Sequence, residues 1–186
     1  MMKRAYFLVP ICAAALSMAQ PKTVVMEPAH TNVEFTLGDV LHTVKGKFKL
    51  KRASLNFDPQ TGHASGELVV DAASGDTGSK ARDSRMNRDI LETEKYPEII
   101  FRPDRVEGAV APEGKSEVHL HGAFTIHGIA HEISIPATVE ASGSQYHVVA
   151  NFEVPYVKWG MKNPSNFILK VSQTVEIRIE ATAHTE

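Results

Sequence analysis

A chain of 186 residues can bury one sizeable core, and a formal net charge of −2 gives it no basic excess with which to neutralise nucleic-acid phosphates. Its single cysteine excludes an internal disulfide framework and a thiolate metal cluster. No long-period repeat, low-complexity tract or linker divides the sequence, so one domain is expected.

The first element is a leader. "MMKRAYFLVPICAAALSMAQ" opens with Lys3 and Arg4, continues with an apolar stretch from Ala5 to Leu16, and reaches small residues at Ser17 and Ala19. That order is the pattern of a secretory signal peptide over residues 1–19, with cleavage expected between Ala19 and Gln20. The apolar stretch is too short to span a bilayer, and no later segment does better. Ile11 stands where a lipoprotein would carry a small residue, so Cys12 is expected to leave with the leader. Residues 20–186 are then expected as a thiol-free, periplasmic or secreted domain, more acidic by the two charges lost.

From there a period of two dominates. "TNVEFTL" sets Val33, Phe35 and Leu37 against Asn32, Glu34 and Thr36, and "KGKFKLKR" sets Phe48 and Leu50 against Lys45, Lys47, Lys49 and Lys51. "ASGELVVDA" is a less regular strand. "GSKARDSRMNRDILE" is the one clear break, with good helix formers, Ser79 in N-cap position, and Met86 and Ile90 four apart. "EIIFRPDRVEG" returns to strand. In "SEVHLHGAFTI", Val118, Leu120, Phe124 and Ile126 face away from His119, His121 and Thr125. After "HGIA", the apolar set Ile133, Ile135 and Val139 makes the second arm of a hairpin. "QYHVVANFEV" places Tyr146, Val148, Ala150, Phe152 and Val154 together, and "FILKVSQTVEIRIEA" does the same with Phe167, Leu169, Val171, Val175, Ile177 and Ile179. As one strand this last run would extend roughly 50 Å at about 3.3 Å per residue, so strong twist or bending is expected. "DPQTG", "APEGK" and "ASGS" supply turns.

About eight antiparallel strands, each with one apolar face, and one short helix predict an all-β fold closed as a barrel. Such a barrel either fills with side chains or keeps room for one ligand. Gly46, Gly122, Ala123, Ala137 and Ala150 interrupt the apolar faces and leave space; the pattern alone does not choose between the two.

"EPAHTNVEFTL", "VKGKF", "ARDSRMNRDILETEKYPEIIF", "GAFTIHGIAHEISIP" and "VKWGMKNPSNFILKVSQTVEIRIEA" resemble the YceI-like family of secreted bacterial proteins over essentially the whole chain after the leader. Arg82-Asp83, followed by Lys95-Tyr96-Pro97 and Phe101, is the most specific part. The resemblance implies an elongated, lipocalin-like antiparallel barrel whose apolar interior holds an isoprenoid or fatty-acyl chain. One segment departs from the family pattern: in "LGDVLHTVKG" the histidine comes late, at His42, so ligand contacts from that turn are not transferred.

The candidate interior residues are Phe35, Leu120, Phe124, Ile133, Tyr146, Phe152, Phe167, Leu169 and Val171. Arg82 and Arg85 are candidates for a headgroup site, because guanidinium forks suit pyrophosphate oxygens. A solvated helix paired with Asp83 and Asp89 is the alternative. Trp159 and Met161, in a loop with Gly160 and Pro164, are candidates for a mouth. The lysine stripe reads as a soluble outer face, with contact to an anionic membrane as the alternative. His119 and His121 lie two apart on one strand face, as metal ligands can. That face is the outer one, however, so solvated histidines are expected and no metal is assigned. No nucleophile, acid and base assemble, so the expected class is a binding protein rather than an enzyme. It would hold an isoprenoid, quinone or fatty-acyl lipid, with no other cofactor. The rivals are a ligand-free envelope barrel acting by protein–protein contact and a hydrolase. Transient membrane contact and homodimerisation stay open. N-terminal sequencing of secreted protein is expected to begin at Gln20; a product retaining an acylated Cys12 would overturn the leader assignment.

Overall fold

The structure, a computed structural model, describes residues 21–38, 43–165 and 170–185. The expected leader, with Cys12, lies outside the described residues, as do His42, Phe167 and Leu169.

Eight strands run β1 (Lys22–Gly38), β2 (Thr43–Phe57), β3 (Ala64–Asp76), β4 (Glu98–Glu107), β5 (Gly114–Ile126), β6 (Ile129–Ser142), β7 (Gln145–Val154) and β8 (Val175–Thr185). Each pairs antiparallel with its neighbour in sequence, and β8 returns to pair with β1, closing the barrel. The expected all-β fold is therefore what forms. Up-and-down order puts four of the seven connections at one end and three at the other. One end carries the helical segment between β3 and β4, the β5–β6 turn and the long β7–β8 connection; we call it the cap end.

Alternation is the rule along each strand, but it breaks where a strand bulges. In β2 the inward set shifts from Phe48 and Leu50 to Ala53 and Leu55, because Lys51 and Arg52 both face out at a register shift. In β4 it shifts from Phe101 to Val106 across the irregularity at Pro103. In β1 the shift falls between Met26 and Thr31, where the Thr31 hydroxyl donates to the Glu27 carbonyl at 2.9 Å. The regular half of β1, from Thr31 onward, was visible as a pattern, whereas its first half was hidden by the change of parity.

The helical segment divides into α1 (Lys80–Arg85) and one π-helical turn over Met86–Ile90. Ser79 occupies the N-cap with extended backbone, yet its side chain makes no capping bond. Asp83 reaches back past the cap instead, accepting from the Thr77 amide at 3.0 Å and its hydroxyl at 2.6 Å.

The last expected strand is corrected. Regular pairing with β7 begins only at Val175 and runs on to His184. Upstream, Ser172 donates its hydroxyl to the Thr174 carbonyl at 2.8 Å and accepts from the Thr174 amide at 3.2 Å. That local bonding diverts the backbone from the ladder.

The small residues are also reassigned. Ala123 is on the outer face, opposite Phe124. A Cβ on Gly46 would meet the Phe35 ring, and one on Gly122 would meet the β4 backbone at Arg102 and Pro103. Neither glycine leaves a void; both permit close packing. Because backbone cannot yield as a side chain can, Gly122→Ala is expected to destabilise the barrel by about 1–3 kcal/mol, the cost of overpacking. Urea unfolding compared with wild type measures it, and a shift below about 0.5 kcal/mol would contradict the close approach of β4 and β5.

Candidate functional site: an apolar cavity under a helical cap

The inward faces do not fill the barrel. A cavity of about 510 Å³ runs from the cap end towards Met26 and Ala181. All eight strands line it, among them Phe35 of β1, Phe48 of β2, Val70 of β3, Phe101 of β4 and Leu120 of β5. Ile135 of β6, Phe152 of β7 and Ile177 of β8 complete the ring. The lining along β7 extends from Val148 to Val154, about 20 Å at strand rise. Beyond the cavity the interior is solid: Ala53, Val118, Val139, Ala141, Tyr146 and Ala183 are buried in the core without lining it. The barrel is thus hollow towards its cap and packed at the other end.

At the cap end the lining changes character. Met86 and Ile90 from the π turn and Leu91 just after it continue the apolar wall, while Thr77, Ser79, Arg82 and Arg85 bring polar groups. Tyr156, Met161, Pro164 and Val171 come from the β7–β8 connection. Burial pushes the Tyr156 phenol above its ordinary pKa, so the hydroxyl stays a donor, and it gives its proton to the Ser172 carbonyl at 2.7 Å. This bond ties the two ends of the connection together.

Of the residues the sequence singled out, Phe35, Leu120, Phe124, Phe152, Val171, Arg82, Arg85 and Met161 line the cavity. Ile133, Tyr146 and Trp159 do not. Tyr146 sits at the packed end, where Lys22 Nζ donates to its hydroxyl at 3.2 Å. Ile133 is half-buried on the stretch of β6 that lies beyond its last pairing with β7, at Ala137. Trp159 covers that stretch instead of forming a mouth: it stacks on His131 of β6 at 4.1 Å and 5°, and its ring lies 5.9 Å from Phe124. The splaying of β6 from β7 has no signature in either strand's alternation, so these placements could not be read from it. Among the apolar lining residues missed by the sequence reading, Met26, Leu55 and Leu68 stand beyond bulges or in less regular strands.

The four histidines of "HLHGAFTIHGIAH" take four separate positions. His119 is exposed on the outer face. His121, on the same face, pairs with Asp104 at 2.8 Å and lies 2.9 Å from Arg105. His127 occupies the two-residue β5–β6 turn with Gly128, both at positive φ as a type I′ hairpin requires, and bonds Glu92 at 2.8 Å. His131 stacks on Trp159. Among the described residues no group of three or more His, Cys, Asp or Glu is placed to hold a metal.

Comparison with known proteins then decides the family. A model of the YceI-like domain matches residues 25–183. The chain belongs to the YceI-like family. It is 29% identical over 136 residues to a UPF0312 protein of Pseudomonas savastanoi pv. phaseolicola, covering 72% of this chain and 69% of that one. A UPF0312 protein of Vibrio parahaemolyticus is 26% identical over 119 residues, covering 62% of this chain; the match spans 61% of the Vibrio protein. Among solved structures, Burkholderia cenocepacia BcnA superposes with a TM-score of 0.69 at 21% identity, covering 84% of this chain and 98% of its own. A polyisoprenoid binding domain from Saccharophagus degradans, implicated in plant cell wall breakdown, gives 0.64 at 16% identity, with 88% and 98% covered. At these identities the structural likeness speaks for the fold.

The histidine geometry makes a direct expectation. Replacing His119 and His121 together by Gln removes the outer-face contact of His121 with Asp104 and no cavity contact. Stability is expected to change by less than about 1 kcal/mol in thermal or urea unfolding. Stoichiometric zinc or copper in untagged wild-type protein, lost in this variant, would contradict the placement.

Proposed function

We propose that this protein is a periplasmic or secreted carrier that holds one long apolar chain, isoprenoid, quinone or fatty-acyl, inside its barrel. The observation that carries the reading is the cavity: about 510 Å³, apolar along the strands and walled by all eight of them. Ligand sites commonly occupy 300–1,000 Å³, and this volume is in that range. Its length along β7 suits a chain better than a compact solute. Burying such a chain removes apolar surface from water, which contributes roughly 25 cal/mol per Å² before the costs of binding. The polyisoprenoid-binding description of the Saccharophagus neighbour supports the same ligand class. The leader-like N-terminus supports a destination outside the cytoplasm.

The test is occlusion from within. Ala150 is buried and lines the cavity, so Ala150→Trp projects an indole into the void rather than into packed neighbours. Retention of co-purifying lipid, read by native mass spectrometry, is expected to fall at least about tenfold, which corresponds to about 1.4 kcal/mol. A cooperative thermal transition should persist, showing that the barrel still folds. Undiminished lipid binding in the folded variant would place the ligand elsewhere. A folded wild-type protein that retains no lipid, and takes up none when offered polyprenyl or fatty-acyl compounds, would favour a barrel acting by protein–protein contact.

A further inference from the structure

We infer that the cap end of the cavity is an oxyanion site, and that the ligand is an amphiphile whose head is a carboxylate or a phosphate ester, received by Arg82 and Arg85. This rests on the reading that the barrel holds an apolar chain, and it assigns the chemistry of the other end of that molecule.

The argument comes from how the arginines are used. Seven of them lie among the described residues. Arg52 pairs with Glu67 at 2.7 Å, Arg88 with Asp89 at 2.8 Å and Arg102 with Glu67 at 2.9 Å. Arg105 pairs with Glu107 at 2.8 Å and Arg178 with Glu180 at 2.9 Å. Among the described residues, Arg82 and Arg85 alone have no carboxylate within ion-pair distance, and they are the only charged ones that line the cavity.

Their immediate surroundings explain why the charges remain uncompensated. Asp83, the obvious partner by sequence, is turned away to Thr77, whose amide and hydroxyl both donate to its Oδ1 at 3.0 and 2.6 Å, and it makes no ion pair with either arginine. Asp89 lies close enough to feel Arg85, but its two oxygens are held by Arg88 at 2.8 and 2.9 Å, the bond that keeps its pKa low. Arg82 is aimed rather than neutralised: its Nε and one Nη donate to Thr77 Oγ1 and to the Thr77 carbonyl, at 2.9 and 3.1 Å. That leaves Nη1 free. Arg85 makes no hydrogen bond to a described residue, so its whole fork is open. Standing three apart, the two side chains share one side of the short helix.

Two guanidinium groups with no carboxylate partner among the described residues, at the polar end of an apolar cavity, match an anionic head. Charge-assisted bonds from such forks to carboxylate or phosphate oxygens are about twice as strong as neutral ones. A hydroxyl, amide or quinone head would accept a hydrogen bond but leave both charges unmatched. Because both arginines are exposed, the gain should be moderate and sensitive to salt.

The experiment uses delipidated protein and ligands matched in chain. Palmitate is compared with hexadecanol, and geranylgeranyl phosphate with geranylgeraniol, by titration calorimetry and by fluorescence of Trp159, the only tryptophan, which touches the cavity wall at Phe124. Wild type is expected to favour the anionic member of at least one pair by about tenfold at low salt, with the ratio shrinking towards one in 0.5 M NaCl. Preference in the first pair alone identifies a fatty acid as the ligand class, and in the second alone an isoprenyl phosphate. The ratio should collapse in Arg82→Gln/Arg85→Gln, recover partly in Arg82→Lys/Arg85→Lys, and persist in Arg178→Gln, whose arginine pairs on the outer face. Equal affinity for both heads in wild type, or a preference surviving the double Gln variant, would overturn the oxyanion site and leave the chain-binding reading intact. Failure of every member of both pairs to bind would overturn the chain-binding reading and the site with it.

Discussion

Closure of the sheet, where β1 meets β8 along Thr31–Thr36 and Glu176–Ala181, is the constraint on which the rest depends. Without it both strands would be edges, with unpaired amides and carbonyls open to foreign strands. With it, every inward apolar face points into one shared space. No pair of neighbouring strands could enclose a chain alone. The cavity belongs to the ring, not to any segment, which is why its wall draws on residues as far apart in sequence as Met26 and Ala181.

The bulges decide how that ring bends. An extra outward residue at Lys51–Arg52 reverses the parity of β2, and the irregularity at Pro103 does the same for β4. Each reversal keeps apolar side chains inward on a strand too long to remain flat, at the cost of local ladder bonds. On the outside, Lys51, Arg52, Glu67, Glu98 and Arg102 form a lattice of ion pairs over β2, β3 and β4. Exposed pairs of this kind contribute little individually to stability. Their clearer consequence is to consume the charges of one region, while two arginines at the cap have no carboxylate partner among the described residues.

The cap is assembled by contacts between segments that lack a regular pattern of their own. Thr77 and Asp83 fix the start of α1, the π turn directs Met86, Ile90 and Leu91 inward, and Glu92 meets His127 at the β5–β6 turn. Tyr96 packs against the same histidine at 4.5 Å and fills the space over Gly128, where a side chain would collide with its ring. On the other side, Trp159 covers the upper stretch of β6 by stacking on His131. One histidine-rich stretch therefore joins both parts of the cap to the barrel, through ring contacts and one carboxylate bond.

The sequence by itself determined the fold class, because a period of two records which side of a strand meets water, and that record needs no knowledge of neighbours. It also marked Phe35, Leu120, Phe124 and Phe152 as inward, since each lies in a stretch of unbroken alternation. Tertiary structure decided what alternation cannot encode. Tyr146 and Phe152 share a face of β7, yet one belongs to the packed end and the other to the hollow, because depth along the barrel depends on the register of all eight strands. Ser172 ended the apparent last strand through side-chain bonds to the Thr174 backbone. Arg82 and Arg88 look equivalent in sequence, each beside an aspartate; only the folded chain gives Asp89 to Arg88 and Asp83 to Thr77. Partner choice at short range is settled by geometry, and geometry is fixed only after the ring has closed.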